Sequence, residues 1–160
     1  MEIFLFGGFL LHIVYAIYVQ VQNWFARPIR YAKTNHSQTS FFSKYMIHTG
    51  VIIGIFLVLH FINFYFVKLG IVAVPEGAEG KHDFYNMVLN LFKNPVYSWI
   101  YVVFMIGLAF HLNHAFQSAF QTLGWNHKKY TPIINFVGTA YSIVVPAGFA
   151  IIPIYVLYIM

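Results

Sequence analysis

The chain of 160 residues contains no cysteine. That absence removes disulfides, thiolate-ligated haem, cysteine-held iron–sulfur clusters and covalent haem attached through a Cys-x-x-Cys-His site. Charge is almost as scarce. Only 8% of residues are charged and four are acidic, against 60% apolar and 21% aromatic, a balance that a soluble fold of this size cannot cover with polar surface. The long apolar runs hold no carboxylate, which argues against a carboxylate-bridged di-iron centre and against zinc held by histidine and carboxylate together. No hydrolytic triad or phosphate-binding loop is present. The formal net charge of +5 sits at the ends of apolar runs, so it reads as membrane topology and not as a nucleic-acid surface.

What is abundant is uninterrupted hydrophobicity. Charge-free runs extend from Ile3 to Ala26, Tyr45 to Val67, Asn94 to His127 and Tyr130 to Met160, each long enough to cross roughly 30 Å of hydrocarbon as a helix. The expected fold is all-α: a single-domain integral membrane bundle with helices at about 3–25, 45–68, 96–124 and 132–158. The first run has Glu2 where a signal peptide carries basic residues and exceeds a typical signal core, so it reads as a span. Arg27, Arg30, Lys33 and Lys44 place the connection at about 26–44 in the cytoplasm, and Lys128 and Lys129 do the same for about 125–131. The mixed charges of 69–95 mark an outer loop, so both termini face outward. A turn region at Pro75, Gly77 and Gly80 leads into His82 to Phe92, where Phe84, Val88, Leu91 and Phe92 share one side of a short interfacial helix. Pro95 and Pro132 suit helix starts, and Pro146 and Pro153 should bend the last span.

Eight histidines divide by position. His36, His82, His127 and His48 fall in loops or near helix ends, where water reaches them. His12, His60, His111 and His114 fall inside apolar runs, where an ionisable ring is costly unless something occupies it. One such histidine is as well explained by an interhelical hydrogen bond as by a ligand. Three separate helices each offering one shifts the balance toward bis-histidine haem b, because facing helices build such sites and neutral imidazole ligates iron. Gly8 and Gly107 lie one turn before His12 and His111, and Gly50 and Gly54 lie on the approach to His60, which would leave room for a flat macrocycle. In the third span His111, His114, Gln117, Ser118 and Gln121 form a polar stripe. His111 is the preferred ligand there because of Gly107, with His114 left to bond a propionate, a quinone or a neighbouring helix.

These residues resemble a known family, the single-polypeptide, di-haem cytochrome b anchor of succinate dehydrogenase and fumarate reductase (succinate:quinone oxidoreductase). The resemblance rests on Leu11-His12-Ile13, on the basic stretch from Trp24 to Tyr31 (WFARPIRY), on Thr49-Gly50 followed by His60, and most specifically on the run from His111 to Trp125, HLNHAFQSAFQTLGW. It covers nearly the whole chain. It implies a five-helix family fold of which four spans are seen here, the first being absent. It also implies that His12 and His111 ligate the haem nearer the iron–sulfur subunit, and that His60 ligates a second haem whose partner histidine belongs to the absent helix. Helix rise places His12, His60 and His111 all roughly 20–25 Å from the cytoplasmic ends of their helices, so spacing alone does not assign the pairs. Some fumarate reductases of this type carry a glutamate where Ala109 stands, so a transmembrane proton route through that position is not expected.

The expected role is therefore an electron-transfer subunit with no succinate chemistry of its own and no catalytic residue. It would bind one or two haems b, with menaquinone or ubiquinone as substrate. Its partners would be a flavoprotein, an iron–sulfur subunit and membrane lipid, with no nucleic acid, in a bacterial cytoplasmic membrane. Arg27, Arg30, Lys33 and Lys44 serve equally well as docking residues and as topology determinants. The rival readings are a cytochrome b subunit of another respiratory dehydrogenase, a transporter or channel lined by the histidine and glutamine stripe, and a haem-free structural anchor.

Overall fold

A computed structural model describes residues 2–26, 45–125 and 127–160. The described residues are helical, with no strand, and four helices are long and apolar enough to cross a membrane. These are α1 (Glu2–Ala26), α2 (Met46–Lys68), α4 (Pro95–Thr122) and α5 (Thr131–Ile159); a short α3 (Phe84–Phe92) lies between α2 and α4. Each agrees with the span expected from the charge pattern to within about two residues. The basic connection with Arg27, Arg30, Lys33, His36 and Lys44 lies outside the described residues.

The chain divides into two compact units, Met1–Ser40 and Phe41–Met160. The described part of the first is α1, a helix without a buried residue. In the second, α4 and α5 form the most extensive pairing and α2 packs against α4.

Local chemistry explains where these helices stop and start. Gly70 (φ 76°) ends α2 and Gly124 (φ 79°) ends α4, both in the left-handed region. At the first end the Gly70 amide donates to the Val67 carbonyl and Ile71 to Phe66; at the second, Gly124 donates to Gln121 and Trp125 to Phe120. This is the Schellman arrangement, which satisfies terminal carbonyls that hydrocarbon would otherwise leave unpaired. At the start of α4 the Asn94 side chain accepts from the Val96 amide and Pro95 occupies the first turn. Helix α5 continues through Pro146 and Pro153, both of which lie on its buried side. In membrane helices, neighbouring helices and local backbone adjustment can re-satisfy the groups that a proline frees.

The connection between α2 and α4 is more embedded in the second unit than an interfacial helix requires. Met87 and Phe92 of α3 are buried, and Phe92 clusters with Tyr101 of α4 and Val156 of α5, against Phe56, Leu59, Phe64, Val88, Leu89 and Leu91. The Phe92 and Tyr101 rings meet edge to face at 4.9 Å, an arrangement worth about 0.5–1.5 kcal/mol beyond area burial. The turn from α3 into α4 is tied by Ser98, whose hydroxyl donates to the Phe92 carbonyl at 2.6 Å in a fully buried position. At its other end α3 is capped by Asp83, which accepts from the Asn86 side chain and from the backbone amides of Glu79 and Asn86.

Two predictions follow from this packing. A Cβ at Gly138 would lie 2.6 Å from the Phe116 ring, so Gly138→Ala should force that ring aside and destabilise the α4–α5 pair by about 1–3 kcal/mol in mixed-micelle unfolding. The Asn86 side chain, then the two amides, hold the Asp83 carboxyl below its ordinary value. Its contribution to α3 is therefore complete above the ordinary carboxylate range and is lost as pH falls through the lowered native value. Amide exchange in α3 should accelerate over that interval, and Asp83→Asn should abolish the pH dependence.

Candidate functional site

The second unit places two intramembrane histidines at two levels. His111 of α4 meets the start of α2: its Nδ1 lies 3.2 Å from the Thr49 hydroxyl, and a Cβ added at Gly50 would lie 3.5 Å from its Cε1. The ring thus approaches α2 closely enough that a Cβ at position 50 would be in van der Waals contact with it. Thr49 also donates its hydroxyl proton to the Met46 carbonyl at 2.9 Å.

His60 is surrounded differently. Its ring lies 5.1 Å from Phe64, 5.7 Å from Phe56 and 6.3 Å from Tyr101. Its Nδ1 is buried with no hydrogen-bond partner among the described residues. Immediately after it, residues Phe61–Tyr65 form a π-helical turn, a local unwinding found often at functional sites. Asn63, within that turn, donates to the Tyr101 hydroxyl at 3.0 Å and fixes the cage to α4.

The vertical separation follows from helix rise. Tyr101, which faces His60, stands ten residues before His111 on α4, and Thr49, which faces His111, stands eleven residues before His60 on α2. Both helices give about 15 Å between the two levels. A single iron ligated by two imidazoles cannot bridge that interval, so His60 and His111 do not form one axial pair. His60 lies beside the aromatic cluster at the α3 end of the bundle, and His111 lies toward the other end.

The remaining polar stripe of α4 turns on Asn113. Its Oδ1 accepts from Gln117 Nε2 at 3.0 Å and from the Thr139 hydroxyl of α5 at 3.2 Å. His114 is half-buried one residue further along. Part of this stripe therefore joins α4 to α5. Such bonds average only about 0.6 kcal/mol in membrane proteins, whereas an orphaned buried polar atom costs about 1–3 kcal/mol. Helix stitching accounts for Asn113 and leaves His60 unexplained.

Two expectations about glycine change. Gly107 leaves no gap beside His111, because a Cβ there would lie 3.3 Å from Ile52 Cγ2; it admits close approach of α2. Gly50 serves His111 and not His60. Nothing lies within 4 Å of a Cβ at Gly8 or Gly54. His12 is midway along α1, in the other unit. Among the described residues no three histidine or acidic side chains gather as a metal-binding group, whereas haem between two imidazoles needs only two protein ligands. Of the solvated histidines, His48 stacks edge-on against Tyr45 at 5.7 Å, and His127 accepts from the Lys129 amide in the α4–α5 turn.

No family model, curated protein or solved structure matches the chain.

If Asn113 is the junction of α4 and α5, Thr139→Ala should cost about 0.6 kcal/mol. Asn113→Leu should cost more, since it strips partners from Gln117 and Thr139 together. Equal losses in mixed-micelle unfolding would contradict this assignment.

Proposed function

We propose that this chain is a haem b-binding membrane subunit that carries electrons between a soluble iron–sulfur partner and membrane quinone, as the anchor of a succinate:quinone oxidoreductase does. The observation that carries the reading is the setting of His111. It is an imidazole inside an apolar span, seated on Gly50 and hydrogen-bonded through Nδ1 by Thr49. A ligand imidazole held through its other nitrogen is the usual arrangement at protein-bound metals. The orphaned Nδ1 of His60, in an aromatic cage, gives the same reading a second and separate place. The motifs around His12, Thr49-Gly50 and the run from His111 to Trp125 support the choice of family.

On this reading His12 and His111 hold one haem, and His60 contributes to a second. When bound with both axial positions filled by imidazole, haem supplies a one-electron couple without an open site for oxygen. The chain's own contribution is to orient the imidazoles, to exclude water with the aromatic cluster of Phe56, Phe64, Phe92 and Tyr101, and to keep the two levels apart. The succinate or fumarate chemistry belongs to the flavoprotein partner. His114 is left to a propionate, a quinone or a neighbouring helix, and Arg27, Arg30, Lys33 and Lys44 to docking.

A haem-free structural anchor is the second reading, favoured by the Asn113 link between α4 and α5. Reduced-minus-oxidised spectra of the purified complex separate the two. His12→Ala and His111→Ala should each lose the b-type band of the haem they share while the protein remains membrane-inserted. Retention of the full band in both variants rejects the ligand assignment.

A further inference from the structure

We infer that Thr49 is a positioning residue that sets the tautomer of His111, keeping the proton on Nδ1 and the lone pair on Nε2. A threonine hydroxyl has one proton to donate and two lone pairs with which to accept. Thr49 Oγ1 stands 2.9 Å from the Met46 carbonyl oxygen and 3.2 Å from His111 Nδ1.

The carbonyl oxygen can only accept, so the Thr49 proton must lie on the contact with Met46. The contact with His111 then requires a proton from the ring, and Nδ1–H donates to Thr49 Oγ1. In the opposite tautomer Nδ1 carries a bare lone pair. One hydroxyl proton would then have to serve two acceptors, and one short contact would bring two lone pairs together with no hydrogen between them. Only Nδ1–H gives each contact its own proton.

Position reinforces the assignment. Thr49 and Gly50 are consecutive on α2: the first bonds the Nδ1 edge, and the second lets the ring lie against the helix at Cε1. The backbone of α2 thus fixes both the proton and the tilt of the ring. The tautomer is independent of the haem reading. Its consequence for iron rests on that reading: with the proton on Nδ1, the Nε2 lone pair is the one that would ligate, and the Nδ1–H bond would orient the imidazole and raise its basicity.

The test uses the full chain in lipid nanodiscs with ¹⁵N-labelled histidine, comparing the wild type with Thr49→Val, Thr49→Ser and Thr49→Ala; His111→Asn identifies the resonance. The directly bonded proton of His111 should be on Nδ1 in the wild type and in Thr49→Ser. It should move wholly or partly to Nε2 in Thr49→Val and Thr49→Ala. Haem titration of the same samples should weaken about 10- to 100-fold in Thr49→Val and recover in Thr49→Ser. A wild-type His111 protonated at Nε2 overturns the inference even if a variant fails to insert, and so does a tautomer that ignores both Val and Ala. A tautomer that shifts as expected in a chain with no affinity for haem upholds the role of Thr49 and removes the proposed function.

Discussion

An imidazole placed in hydrocarbon has two nitrogens to satisfy and no water to satisfy them. This constraint organises the interior of the second unit. His111 meets it on one side through Thr49, and His60 leaves Nδ1 buried without a partner among the described residues. The polar stripe around Asn113 meets the same constraint within the protein, with one carbonyl oxygen accepting from two donors on two helices. The contrast matters because the energies differ: a hydrogen bond between membrane helices returns less than an orphaned buried nitrogen costs. Under the proposed function, such a position is where a group from outside the chain would bind.

Antiparallel packing of α2 against α4 converts that local chemistry into a layout. Contacts of Thr49 with His111 and of His60 with Tyr101 place the two imidazoles at opposite levels of one helix pair. The α3 segment closes one end. Its Phe92, tied through its carbonyl to Ser98, packs on Tyr101 and so backs the aromatic residues around His60. The proposed electron transfer over such a separation would need fixed positions more than motion. The Schellman ends, the Asn94 cap and the buried prolines of α5 all bear on stiffness.

Much of the fold was legible because charge is expelled from hydrocarbon, so the ends of charge-free runs mark the ends of helices to within about two residues, except that α4 stops at Thr122, before the Gly124 turn, while its charge-free run continues to His127. The histidines stood out for the same reason. Their pairing did not, since rise per residue measures depth along each helix separately and says nothing about which helices face one another. The roles of small residues were misplaced for a related cause. Gly107 next to His111 in sequence serves Ile52 in space, while Gly50, distant in sequence, seats the His111 ring. Thr49 was noticed as part of a motif without a physical role, because a hydroxyl acquires one only when its proton can be traced between partners. The π-helical turn after His60 and the Asn113 junction depend on tertiary contacts that periodicity does not encode.

The family likeness rests on short motifs, and the physical account rests on what occupies the imidazoles. Low-temperature electron paramagnetic resonance of the oxidised, purified complex addresses that occupancy directly. The account requires a low-spin ferric signal of the kind that two axial imidazoles produce, in a preparation containing at least one haem per chain. A colourless preparation, or haem whose iron is high-spin with an open axial position, contradicts it.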